Sequence, residues 1–328
     1  MIELINNTLV FRFPEVHPDA TCTIDFQRTL RIPDDNREYP LPPGLGRFPV
    51  EHVDDFADRL PESWREHGGV MIPMYQSEAM WIRFSGDYPC AVKIAAGKIN
   101  AVSGKAWSNE LSTNSQDYVV IPAQPWLDGF NVSENHIRQF VAMPLGEGYT
   151  AEEQITDEAQ YGGLQIVVYP MKREAYEQYR SRRMMVVKDR ELRLCCRAIV
   201  GMEMGLAPGG LMKQKIYRDR YGVDSWDQKH GSRCFVHIVN SAIYETIVGC
   251  RPPHKPPTAE KYTAAGLPWF DYYAETKAIE GSSILSELSS LAAKVIEKTG
   301  KPLQDNAQVE PKHVKYIRSK NTVREGGF

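Results

Sequence analysis

Long apolar runs are missing from this chain. No stretch approaches the roughly 20 consecutive apolar residues that a membrane-spanning helix needs, and the short ones present are broken by Arg, Lys or Glu. An excess of positive charge is missing too: 39 Lys and Arg stand against 42 Asp and Glu, for a net charge of −3. That leaves no basic field to recruit nucleic acid or an anionic membrane. The six cysteines (Cys22, Cys90, Cys195, Cys196, Cys234 and Cys250) form no CxxC pair and no dense framework, so free thiols in a reducing compartment are expected. The first residues, MIELINNTLVF, carry neither a positive flank nor a small-residue cleavage site, which argues against a signal peptide. Repeats and low-complexity tracts are absent as well. The expectation is a soluble, cytoplasmic protein with no transmembrane segment and no nucleic-acid partner.

What is there is ordinary globular material: 42% hydrophobic and 25% charged residues in 328 positions, enough for one large domain or two average ones. The first two-thirds reads mostly as strand. Residues 2–13 suggest a hairpin broken at Asn6-Asn7, and TCTIDFQRTLRI alternates with Cys22, Ile24 and Phe26 on one face, the mark of a half-buried strand. Pro33 ends it. From Pro33 to Pro49 the chain holds five prolines and two glycines, and so can be neither helix nor central strand. Further strands are expected in GVMIPMY, AMWIRF, CAVKIAAGKINAV and DYVVIP, at 137–143 and 163–169, and in a hairpin turning at Lys188-Asp189-Arg190. KREAYEQYRSRR, 172–183, has helical composition.

The last third changes character. Phe235, Ile238, Val239, Ala242, Ile243, Thr246 and Ile247 recur at helical spacing between a candidate cap, Ser232, and a stop, Gly249. A second amphipathic helix is expected from Ser282 or Ser283 to Lys298, closed by Gly300 and Pro302. Strands not separated by regular crossover helices imply an α+β protein. The body is expected to be antiparallel and β-rich, sandwich or jelly-roll-like, with helices concentrated in the C-terminal third. Residues 1–201 would form the β-rich domain. Residues 202–328 would be mainly helical, with an extended C-terminal arm, and can pack as one unit with the first.

Chemistry is sparse. In GEGYTAEEQ, Thr150 and Glu153 have the spacing of a capping box, and the acidic first turn argues against anion binding there. GLAPGGLMKQK, 205–215, lacks phosphate-loop spacing and reads as a tight chain reversal. The sharpest cluster is His230, Cys234, His237, Cys250 and His254, which lie within 25 residues of one another. On the inferred helix Cys234 and His237 share one face. The set could supply four zinc ligands in number, though the spacing fits no finger or ribbon. Cys234 in the first turn of a helix would also be an activated thiol, and GSRCFVH superficially resembles the helix start of papain-like proteases, with Arg233 inserted and no matching downstream His. A buried thiol and partnered histidines is the preferred reading of the group; no cofactor is predicted, and zinc is the weaker alternative. Asp128 in QPWLDGF sits at a strand-to-turn junction, where a turn role is favoured over catalysis. The aromatic groups around Trp126 and Trp269 offer a ligand pocket, an oligomer contact or plain core packing, the last favoured.

The runs FQRTLRIPDD, YPLPPGLGRFP, QPWLDG, RQFVAMPLGEGYTAEEQIT, GGLQIVVYPMK and GLPWFDYY resemble those of a family of uncharacterised bacterial and fungal proteins, over most of the chain. The resemblance implies no activity, cofactor or catalytic residue. Some members carry an integral-membrane label, which the hydropathy of this chain contradicts. The leading functional expectation is therefore a non-catalytic protein acting through protein contacts, as a homo-oligomer or assembly subunit. The alternative is a metal- or cysteine-dependent hydrolase centred on Cys234 and His237.

Overall fold

The computed structural model describes residues 1–183, 203–273 and 277–318. Alternation along the N-terminal strands builds its centre. Ile2–Ile5 pairs antiparallel with Thr8–Arg12 through a turn at Asn6 and Asn7, both at positive φ. Thr8–Arg12 pairs with Thr21–Thr29, and that strand with Ala79–Ser85. The order continues through His136–Pro144, Glu203–Lys213, Ser232–Asn240, Leu164–Pro170 and Cys90–Ala96 to Val119–Ile121, antiparallel at every step.

The registers keep one face in phase across this whole path. Phe11 stands opposite Cys22, Ile24 opposite Phe84, Met80 opposite Phe140, and Ala142 opposite Leu206. Met204 then meets Ile238, Cys234 meets Ile166, and Ile166 meets Ile94. Because side chains alternate with a period of two, all of these point inward, and all belong to one buried cluster. The sheet curls until strands far apart in its order approach, so that Cys22 and Cys90 are neighbours in one buried cluster. Among the described residues seventeen strands belong to this sheet, and the α+β, antiparallel β-rich expectation holds.

The outer face is covered in patches. Glu62–His67 and Ser241–Val248 cover Met71 and Val239 through Trp64, Tyr244 and Ile247. Leu291–Thr299 covers Val141 and Ala207 through Leu291. At one end, Leu30, Ile32, Ile137 and Met212 are sealed by Tyr39, Leu41, Tyr262, Val309 and the fully buried Trp269. Among the described residues no helix is long and apolar enough to cross a membrane.

Several local expectations change. Residues after 202 do not form a mainly helical region: Glu203–Lys213 and Ser232–Asn240 are central strands of the same sheet as the N-terminal half. GLAPGGLMK is one of these strands, not a reversal. Its glycines serve close approach: a Cβ on Gly210 would lie 2.4 Å from the Pro33 carbonyl oxygen, and one on Gly209 would lie 2.5 Å from Val141. The helix expected from Ser232 begins only at Ser241. Asn240 is its cap, accepting a hydrogen bond from the Ala242 amide, and Gly249 stops it in the left-handed conformation as anticipated. The long C-terminal helix is two, Ser283–Ser286 and Leu291–Thr299, because Ser290 caps anew and Asp34 accepts a bond from the Ala292 amide at 2.7 Å. Part of the expected arm, Val314–Arg318, pairs in parallel with Trp269–Tyr273. The hairpin placed at Lys188-Asp189-Arg190 lies outside the described residues.

Candidate functional site

The residues singled out by sequence do not converge. In a strand, neighbours three apart lie on opposite faces, so Cys234 and His237 point away from each other. Cys234 faces the core, where burial pushes its thiol up to about 12, the reverse of an activated nucleophile. His237 faces outward under Trp64, with ring centroids 4.4 Å apart and Nε2 3.0 Å from the Gly68 carbonyl oxygen. Burial draws its pKa down to about 4. His230 bonds Asp227 at 2.9 Å on the surface, Cys250 is exposed, and the His254 carbonyl accepts from Arg28 Nη2 at 2.9 Å. Each has its own setting. Among the described residues no three His, Cys, Asp or Glu side chains group closely enough to hold a metal ion.

Asp128 leads elsewhere. It is buried between Trp126–Leu127 and Gly129–Ser133, and Gln214 grips it at both ends. The Asp128 amide donates to Gln214 Oε1 at 2.9 Å, and Gln214 Nε2 donates to Asp128 Oδ2 at 2.7 Å. Burial raises its carboxyl pKa to about 7, and hydrogen bonding from Trp126 and Gln214 only partly opposes this. Gln124 makes a second latch over the same gap, donating to the carbonyls of Trp126 and Lys215 and accepting from the Tyr217 amide at 3.0 Å. The two glutamines pin segment 124–128 to segment 214–217.

Those segments wall a cavity of about 410 Å³ at the end of the sheet. Trp126 and Tyr272 form its aromatic side, edge to face with centroids 4.8 Å apart and both partly exposed. Pro125, Leu41 and Tyr217 extend the apolar lining. Across from them, His136 and Lys213 are direct cross-strand partners, and the short strand Glu38–Tyr39 runs parallel beside Leu211 and Met212. That geometry lands Glu38 between them. Lys213 Nζ lies 2.7 Å from Glu38 Oε1, and His136 Nε2 hydrogen-bonds Oε2. Burial works against the Glu38 carboxylate, but Lys213 and His136 together hold it below the usual range; the bond to Glu38 in turn raises Lys213. Asn135, Lys215 and Asp271 complete the rim.

A hydroxyl, an imidazole and a carboxylate also stand in series here, since Ser133 Oγ lies 2.9 Å from His136 Nδ1. Ser133 is not on the cavity wall; it sits three residues away in the same hairpin turn and fixes the ring's orientation. The sequence singles out Trp126 and Asp128, and touches Lys213 and Tyr272 within the GLAPGGLMKQK and LPWFDYY runs, but it does not point to Glu38, His136 or Gln214. Their sequence signal was weak, because each is an ordinary residue on a different segment.

No protein-family model, curated protein or solved structure matches the chain.

Proposed function

We propose that the protein works by binding rather than by bond-making chemistry, with the cavity beside Trp126 as its ligand site. One observation carries this: a pre-formed concavity with an aromatic wall and convergent polar groups, rigidly held by two buried glutamines, is what small-molecule sites are made of. Counting against a hydrolase centred on Cys234 and His237 are their opposite directions in one strand and the raised thiol pKa. The test is fragment screening by ligand-observed NMR on the full chain, with Trp126 fluorescence as the local reporter. Hits that quench Trp126 and disappear in Trp126→Ala support the reading; stoichiometric metal in elemental analysis, or a hyper-reactive Cys234, counts against it.

A second reading, self-association into a homo-oligomer, has its own observation. Tyr316 and Ile317 are 55% and 42% exposed on the Val314–Arg318 strand, and exposed apolar residues on such a strand suit pairing with a second copy. Light scattering across a wide concentration range decides it: a monomer throughout removes the idea. A cytosolic setting fits the free thiols of Cys22, Cys90, Cys234 and Cys250.

A further inference from the structure

The wall of the Trp126 cavity is electrically balanced. Glu38 and Asp271 face Lys213 and Lys215, two of each sign, and Glu38 and Lys213 already satisfy each other at 2.7 Å. An ion of either sign would find its opposite charge next to a like one, so net attraction cancels. A solvated lysine and carboxylate left over on the rim add little for a zwitterion.

What remains for a ligand is a particular mixture. Asn135, Lys215 and Asp271 have no side-chain hydrogen-bond partner among the described residues, so the rim offers an amide, a pure donor and a pure acceptor together. A hydroxyl group answers all three, because it both donates and accepts. Opposite stand two aromatic side chains set edge to face. Their apolar surface suits the C–H face of a saturated ring, whose burial there is favourable without any charge. The deep amides of Gln124 and Gln214 are spent on the protein itself and serve as scaffold. A volume of about 410 Å³ lies in the range of small-ligand sites.

Resting on the reading of this cavity as a ligand site, we infer that its ligand is a neutral, hydroxyl-rich ring compound, a saccharide or cyclic polyol, packed against Trp126 and Tyr272 and hydrogen-bonded by Asn135, Lys215 and Asp271.

The experiment is saturation-transfer NMR on the full chain, with three sets of probes at equal concentration. The first is D-glucose, D-galactose, D-mannose, N-acetylglucosamine and myo-inositol, backed by a glycan array. The second is glycine and phenylalanine as zwitterions, and the third is acetate and phosphate as anions. The expected result is transfer to the ring protons of at least one first-set compound. Binding should weaken at least tenfold in Trp126→Ala and about threefold in Asp271→Asn, a rim change that leaves the core untouched should the tryptophan variant fold poorly. Binding of the zwitterions or anions alone, abolished by the same variants, overturns the ligand class while leaving the cavity as a binding site. Saccharide binding unchanged in both variants overturns the assignment to this cavity. Silence from all three sets and the array, together with no fragment that quenches Trp126, removes both readings at once.

Discussion

Two regions of the molecule gather polar side chains, and they use them in opposite ways. Around His237 the polar groups are sealed: the imidazole is sandwiched beneath Trp64, bonded to a carbonyl and kept neutral, while Cys234 faces the other way into packed hydrocarbon. Around Trp126 the deepest polar group, Asp128, is equally buried, but it is tied through Gln214 to a wall that faces solvent. A dense set of reactive residue types in the sequence marks the first region; only the fold assembles the second. Proximity in sequence brought chemistry together on paper, and strand geometry took it apart.

The largest effect expected from breaking this contrast comes from the latch itself. Gln214→Leu leaves the Asp128 amide and carboxylate oxygen without the partners they now hold at 2.9 and 2.7 Å. Burying unsatisfied groups costs roughly 1–3 kcal/mol each, so a loss of about 3 kcal/mol is expected by urea unfolding, with weaker ligand binding at the cavity. Unchanged stability would mean the glutamine is not what holds segment 124–128.

Next comes pH, where the two regions oppose each other. Asp128 has a folded pKa raised to about 7, so the folded state holds its proton more tightly than the unfolded chain does. Its effect is to lower stability as pH rises from about 4 to 7. His237 has a folded pKa lowered to about 4, so the unfolded chain binds the proton more tightly. Its effect is to raise stability as pH climbs from about 4 to 6.5. The two slopes overlap and largely cancel. Asp128→Asn removes one of them: it should gain stability at pH 8 relative to the parent, gain nothing at pH 4, and show a steeper acid loss between. His237→Leu removes the other slope and leaves the Gly68 carbonyl unpaired, at a cost of about 1 kcal/mol near neutrality. A thermal melt series from pH 4 to 8 on both variants checks the signs. Parallel profiles for parent and variants would refute the cancellation.

How far this was visible in the sequence depends on the range of each interaction. The capping box of Thr150 and Glu153 was legible because it closes within four residues, and the structure shows both of its bonds. The alternation of Cys22, Ile24 and Phe26 was legible for the same reason, since one face of one strand is a local pattern. Residues 232–248 look like one helix in the sequence because the strand runs into the helix at Asn240 with no Gly or Pro between. Phe235, Ile238, Val239 and Ala242 satisfy a helical period, while Cys234, Val236 and Ile238 satisfy a strand period equally well. Gly209 and Gly210 look like a turn in the sequence because glycine signals both reversal and close contact, and only neighbours from 33 and 139–141 show which. The cavity was the least legible part. Glu38 and His136 are 98 residues apart, and Trp126 and Gln214 are 88 apart, so the contacts that close the cavity join segments far apart in the sequence.

The smallest expected effect separates an ion pair that organises a wall from one that stabilises a fold. Glu38 is 34% exposed, with Lys213 at 57%, and partly solvated pairs contribute about 1 kcal/mol or less. The Glu38 carboxyl is held below its ordinary pKa by Lys213 and His136 against the opposing effect of burial. What stability it gives is therefore present above the unfolded pKa and lost as pH falls through the folded one, a window below that of Asp128. Glu38→Gln should change the unfolding midpoint hardly at all at pH 7. It should nonetheless tip the balanced wall toward positive charge, leaving Asp271 alone against Lys213 and Lys215. Acetate and phosphate, which the parent cavity is expected to ignore, should then gain measurable binding in ligand-observed NMR. If the variant loses several kcal/mol, Glu38 is a structural keystone. If it stays stable and still ignores anions, the charge balance of the wall is not what sets its preference.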